Sequence, residues 1–240
     1  MPEIATATNT EHARRVREMF EGIAGRYDLL NHILSGNVDK RWRRALTDRL
    51  AGVGFDQPVL DVACGTGDLS LELHQAGRTK VVGIDFCRPM LAIAQSKVDA
   101  RNVKIPFIEG DALSLPFDDG SFALVTISFG LRNLSSVEQG VKELFRVLKP
   151  GGRLAVLEFS KPAVPVMSTI FRLYFSRVLP FLGGLISGSR SAYQYLPDSV
   201  RCFPDQKQLA ALMSDAGFTE VSFENLTGGI AALHFGTRPV

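Results

Sequence analysis

The chain has 240 residues, 45% of them hydrophobic, which is enough to bury one large α/β core without a second domain. A formal net charge of +2 makes no case for nucleic acid as a partner, and the one dense basic run, "KRWRR" (Lys40 to Arg44), reads as the solvated face of a helix. The three cysteines, Cys64, Cys87 and Cys202, form no C-x-x-C pair and the four histidines have no metal-ligand spacing, so no metal is expected and a reducing cytoplasm is the simplest compartment.

In chain order, a polar start, Ala5 to Thr10, is expected to be mobile and lacks the basic-then-apolar build of a signal peptide. Helical patterning begins near Glu11 with Val16, Met19, Phe20 and Ile23, and a second helix is predicted from Val38 to Leu50 with Trp42, Leu46 and Leu50 on one side. From Val59 the pattern alternates: strand 59–63, helix 68–76, strand 80–85, helix 89–100, strand 104–108, strand 122–127, helix 136–148, strand 153–159. Such alternation specifies a doubly wound parallel sheet. Lys149-Pro150-Gly151-Gly152 stops the last helix and turns the chain. At the end, Thr219–Leu226 and Ile230–Thr237 flank Thr227-Gly228-Gly229, a turn suited to an antiparallel hairpin.

The stretch "LDVACGTGD" (Leu60 to Asp68) runs from a strand through Gly65 and Gly67 to an acidic helix start. A helix N-terminus favours an anion, but Asp61 and Asp68 would repel a pyrophosphate, and the third glycine of G-x-G-x-x-G is absent. Those carboxylates suit a ligand with an amino group or a positive centre. S-adenosylmethionine has both, and a plain strand-to-helix turn stays open as the alternative. In an open α/β sheet, ligands lie outside the carboxyl ends of the strands. There Asp85, in "VVGIDF", is placed to accept ribose hydroxyls; Asp111 and Ala112, in "GDALSLPF", to meet an adenine; and Ser128, in "ALVTISFG", to face the ligand. With the terminal hairpin, these point to α/β class: the class I S-adenosylmethionine-dependent methyltransferase fold, a mostly parallel doubly wound seven-stranded sheet with a C-terminal antiparallel hairpin. The chain reads as one methyltransferase domain, 1–240, with an N-terminal helical lid at 11–51 and a helical insertion at 162–200.

Across "FEGIAGRYDLLNHILS", "ISFGLRN", "RVLKPGGRLAVLEFSKP", "YQYLPDSVRCFPDQ" and "FENLTGGIAALHFG", the chain resembles the ubiquinone/menaquinone biosynthesis C-methyltransferases of the demethylmenaquinone methyltransferase type. The resemblance implies cofactor contacts at Thr66, Asp85, Asp111, Ala112 and Ser128. It also implies methylation of a ring carbon on a prenylated quinol, with S-adenosylhomocysteine as the product. It departs in "SGNVDKRWRR", where the family pattern has a histidine near the position of Asp39. Such chemistry asks for a base, for donors that hold a developing phenolate, and for exclusion of water. Arg132 is the first choice for orienting the quinol oxygen, with Tyr27 and Asn133 beside it; Asp28, Asn31, Arg201 and His234 are further candidates. Each has an ordinary structural role as its alternative: an ion pair for Arg132, core packing for Tyr27 and His234, a helix cap for Asp28.

The segment Pro162 to Pro197 is rich in large apolar residues and carries Arg172, Arg177 and Arg190 with no acid before Asp198. Two arginines and Pro180 argue against a spanning helix, so the segment fits a polyprenyl tunnel, peripheral contact with an anionic membrane surface, or packing over the sheet. Rival functions are methylation of another lipophilic phenol or sterol-like acceptor, and a non-catalytic S-adenosylmethionine-binding regulator.

Overall fold

The computed structural model describes residues 3–50, 54, 56–162 and 190–240. Apolar runs form seven strands: β1 (Val59–Val62), β2 (Val81–Asp85), β3 (Phe107–Glu109), β4 (Phe122–Ser128), β5 (Leu148–Phe159), β6 (Thr219–Leu226) and β7 (Ala231–Thr237). They make one sheet in the order β3-β2-β1-β4-β5-β7-β6. β7 runs antiparallel to both β5 and β6, and all other neighbours are parallel. This is the seven-stranded sheet expected from the βα alternation and the glycine turn near the end.

β1 is buried at every position because helices cover both faces, which is what a parallel sheet requires. On one face, α6 (Val137–Val147) and α8 (Gln206–Asp215) deliver Val141, Leu144, Leu209 and Met213 onto Val125, Leu154 and Val156. On the other, α3 (Val38–Arg49), α4 (Asp68–Gln75) and α5 (Arg88–Asp99) deliver Trp42, Leu46, Leu73 and Val98 onto Val59, Val81 and Leu157. Local signals set the helix starts: Ser136 accepts from the Gln139 amide, and Asp205 forms a capping box with Gln208. The remaining helices are α1 (Glu3–Ile23), α2 (Tyr27–Ser35) and α7 (Arg190–Cys202).

Three expectations need correction, and a fourth falls largely on residues that are not described. The polar start is helical from Glu3 onward. The third strand begins at Phe107 rather than at residue 104, and the Pro106 carbonyl just before it accepts from Gly83. Lys149–Gly152 do not separate α6 from β5: Leu148 already pairs with Phe122, and the register shifts before Leu124 meets Arg153. Of the insertion, 163–189 lies outside the described residues, and α7 is its described end.

Two adjacent strand ends are turned sharply. Ala63 after β1 and Phe129 after β4 both hold left-handed backbone, φ 50° and 57°, a conformation costing non-glycine residues on the order of 1–3 kcal/mol each. Gly130 follows at the closest approach, where an added Cβ would lie 2.4 Å from the Cβ of Ala63. Gly130→Ala should therefore lose about 1–3 kcal/mol in denaturant unfolding, the usual cost of overpacking. Gly25→Ala, where a Cβ meets nothing within 4 Å, is the control and should be close to neutral. Equal stabilities for the two variants would count against the tight crossing.

Candidate active site

The parallel register brings the strand ends level: Val62 pairs with both Ile84 and Ile127, and Ser128 with Leu157. Beyond these ends lies a cavity of about 410 Å³. Tyr27, Gly65, Asp85, Asp111, Ala112, Ser128 and Asn133 all line it, with Ala13, Arg17 and Phe20 of α1 on a further side. Asp61, Thr66, Gly67 and Arg132 are not on its wall.

Asp85 is held by the backbone. Its Oδ2 accepts from the Gly65 amide at 2.8 Å and its Oδ1 from the Cys87 amide at 2.9 Å, with the Phe86 amide as a third backbone donor. Burial pushes its pKa up against the pull of those amides. Asp111 accepts the Leu113 amide at 2.9 Å in an Asx turn that presents Ala112 to the cavity. Ser128 Oγ is buried and has no partner among the described residues, a rare state for a hydroxyl in a protein wall.

The nominated residues off the wall have other duties. Gly67 takes φ 76° as the N-cap of α4, and a Cβ there would meet Ala94 and the Phe107 ring at 3.0 Å. Thr66 is buried and donates to Asp28 at 2.5 Å. Asp61 lies under the loop, 1% exposed, and accepts from Ser70 at 2.6 Å and Thr126 at 2.9 Å, tying β1 to α4 and β4. Burial, joined by the nearby Asp85 charge, raises its pKa to about 6 against the pull of those two hydroxyls.

On the acceptor side the sequence nominates Arg132, and the fold ties it to a partner the sequence reading missed. Its Nη1 donates to Glu158 at 2.7 Å and to the Phe129 carbonyl at 2.5 Å, while Glu158 also accepts the Arg132 amide at 3.2 Å and the Phe159 amide at 2.8 Å. Both side chains are buried, 7% and 1% exposed, with the guanidinium over the Phe159 ring. A lone acid in the otherwise apolar "LAVLEF" was the available signal for Glu158. Asn133 donates to the Phe129 carbonyl at 3.2 Å and accepts the Tyr195 hydroxyl at 3.0 Å; Tyr195 also escaped notice in the sequence. Tyr27 bonds Asn31, and burial raises its pKa, opposed by Asn31 and the Arg132 charge, so its hydroxyl stays a donor. Arg201 is exposed and paired with Asp198. His234 is buried away from the cavity, with Nε2 2.9 Å from the Gln206 carbonyl and its pKa lowered by burial.

The sequence model of the ubiE/COQ5 methyltransferase family matches residues 7–238. The chain belongs to that family. It is 54% identical to a demethylmenaquinone methyltransferase of Thermus thermophilus, over 92% of this chain and 100% of the relative. It is 42% identical to a ubiquinone/menaquinone biosynthesis C-methyltransferase UbiE of Pseudomonas aeruginosa, over 96% of this chain and 91% of the relative. In fold it matches the crystal structure of a SAM-dependent methyltransferase from Thermotoga maritima with a TM-score of 0.68 and 18% identity, over 93% of this chain and 99% of that one. For a methyltransferase of the ubiE/COQ5 family, the wall residues fit the adenosyl donor: two acceptor oxygens on Asp85 for a diol, an Asp-Ala pair for an adenine edge, and an orphaned hydroxyl at Ser128.

Asp61 makes a prediction about pH. A carboxyl raised from 3.8 to about 6 on folding favours the native state by about 3 kcal/mol below its unfolded value, and that contribution is lost as pH rises through about 6. Unfolding free energy should fall between pH 4 and 6.5 by more in the parent than in Asp61→Asn, as read by denaturant titration. Parallel profiles would remove Asp61 from the balance.

Proposed function

We propose that this chain methylates a ring carbon of a prenylated quinol, converting demethylmenaquinol to menaquinol with S-adenosylmethionine as donor and S-adenosylhomocysteine as product. The observation that carries it is that Tyr27, Ser128, Phe129 and Asn133 line the same cavity as Asp85 and Asp111, with Arg132 bonded to the Phe129 carbonyl. An aromatic wall with neutral donors suits a phenol better than a charged acceptor. The names of the relatives support the same acceptor class.

When bound, the donor supplies an electrophilic methyl on a positive sulfur. The protein's part is to make the ring carbon nucleophilic and to align it. Tyr27 and Asn133 hold the quinol oxygen by hydrogen bonds. The Arg132 guanidinium, stacked on Phe159 and fixed by Glu158, favours negative charge on that oxygen in a water-poor site. With the donor bound, the methyl–sulfur bond would break, its electron pair staying on sulfur, as the ring carbon takes the methyl, and the ring proton would pass to water to restore aromaticity.

In this account the whole chain is one domain, residues 11–51 are its lid, and residues 162–200 serve the prenyl tail or rest on an anionic membrane from the cytoplasmic side. No helix among the described residues is long and apolar enough to cross a membrane.

Labelled methyl should pass from S-adenosylmethionine to a short-chain demethylmenaquinol only with a reductant present, because the oxidised ring has no phenolic proton to lose. Equal labelling under oxidising conditions would overturn the mechanism. Asp85→Asn, which keeps the side-chain size but gives up one acceptor, should weaken calorimetric S-adenosylhomocysteine binding by about 1–3 kcal/mol. Undiminished affinity would move the ribose away from Asp85.

A further inference from the structure

The acid that closes the glycine turn, Asp68, is engaged by the protein itself. Lys97, in the last turn of α5, places its ammonium 2.6 Å from Asp68 Oδ1 and 2.6 Å from Asp28 Oδ2. Asp28 stands at the start of α2, next to Tyr27, and its other oxygen takes the Thr66 hydroxyl of the glycine turn. Asp68 Oδ2 takes Arg43 of α3 at 3.1 Å, and Arg43 reaches Asp39 at 3.0 Å. Asp39 in turn holds His32 at 2.9 Å and Ser35 at 2.6 Å, both on α2. Three carboxylates and two permanent cations thus join α2, α3, α5 and the turn, all largely withdrawn from water.

We propose that Lys97 is a positioning residue: its ammonium fastens α2 to the glycine turn and thereby sets Tyr27 against the cavity. The proposal rests on the cavity being the donor site. Its physical basis is that, among the described residues, Lys97 alone is shared by Asp28 and Asp68. An ammonium has three donors, enough for both carboxylates, and its place at a helix C-terminus is favoured by the macrodipole. Without it, two carboxylates face each other across the seam between α2 and the turn, with Arg43 at 3.1 Å and the His32 ring at 3.9 Å both reaching Asp68 and not Asp28. Repulsion would then act at Asp28, one residue from Tyr27 and bonded to Thr66. The sheet and its two cores lie outside the seam and have no stake in this charge.

The test compares Lys97→Met, Lys97→Arg, Asp28→Asn and the double variant Lys97→Met with Asp28→Asn. Hydrogen exchange in the ligand-free protein should speed up in Lys97→Met by about tenfold or more over Tyr27–Ser35, the loss of a charged hydrogen bond, with strand peptides unchanged. S-adenosylhomocysteine affinity by calorimetry should fall by a similar factor, and the donor KM should rise more than kcat falls. Lys97→Arg, which keeps the charge, should recover most of both effects. Asp28→Asn preserves side-chain size and should loosen the same peptide. The double variant should be no looser than Lys97→Met, since the repulsion is gone. Unchanged exchange over α2 in Lys97→Met, exchange raised equally through the sheet, or failure of Lys97→Arg to restore affinity would each overturn the proposal. A parent protein that binds no S-adenosylhomocysteine would instead overturn the donor site, while the exchange comparison would still decide the fastening.

Discussion

The site depends on one constraint, the parallel register that ends β1, β2 and β4 on a common line beside β5. Helices cover both faces of the sheet, so the edge formed by the carboxyl ends is where side chains of several strands converge on one volume. Reversal of the chain immediately past two adjacent ends, at Ala63 and Phe129, clears that volume. The left-handed backbone there is offset by burial on either side, with Val62 and Ile127 in the same core cluster and the Phe129 amide bonded to the Leu157 carbonyl.

The Arg132–Glu158 pair shows how the same edge serves the acceptor. Removing one partner of a buried ion pair leaves an uncompensated charge and typically costs about 3–5 kcal/mol. Arg132 is therefore bound into the fold as well as into the chemistry, and an activity loss on its truncation mixes the two. Glu158 satisfies its oxygens with one guanidinium and two backbone amides, so it needs nothing from a ligand. The guanidinium keeps a buried Nε that has no partner among the described residues, and its charge extends to Tyr27 and Tyr195.

Most of the fold was legible because periodicity, capping residues and glycine turns are local. The mostly parallel sheet and its antiparallel end followed from the βα alternation and from Thr227-Gly228-Gly229. Legibility weakened wherever a partner comes from far along the chain. The sequence offers Asp61 as an acid at a strand end, and only the pairing of β1 with β4 reveals that Thr126 and Ser70 claim both its oxygens. Arg132 looked free for a substrate because Glu158 stands on another strand. Tyr195 lies in α7, the described end of the insertion, and nothing in its sequence neighbours points to Asn133. By contrast, Asp85, Asp111 and Ser128 were readable as wall residues because strand termini alone place them at the edge.

Two acids that flank the glycine turn in space, Asp85 and Asp68, divide along the same line. Asp85 meets backbone amides, which neutralise part of its charge without spending every lone pair, so it can still accept from a ligand. Asp68 meets Lys97 on one oxygen and Arg43 on the other, with His32 Nε2 3.9 Å from the second. A carboxylate so matched has little field left for the amino group or positive sulfur of a donor, and the selectivity against a diphosphate inferred from its charge must then rest on Asp85 and on the absent third glycine. What Asp68 contributes instead is geometric. It lets the positive N-terminal end of α4, which in a dinucleotide-binding fold would draw a phosphate, hold the N-terminal helices in place, so that the wall completed by α1 and α2 belongs to the same structure as the turn beneath it.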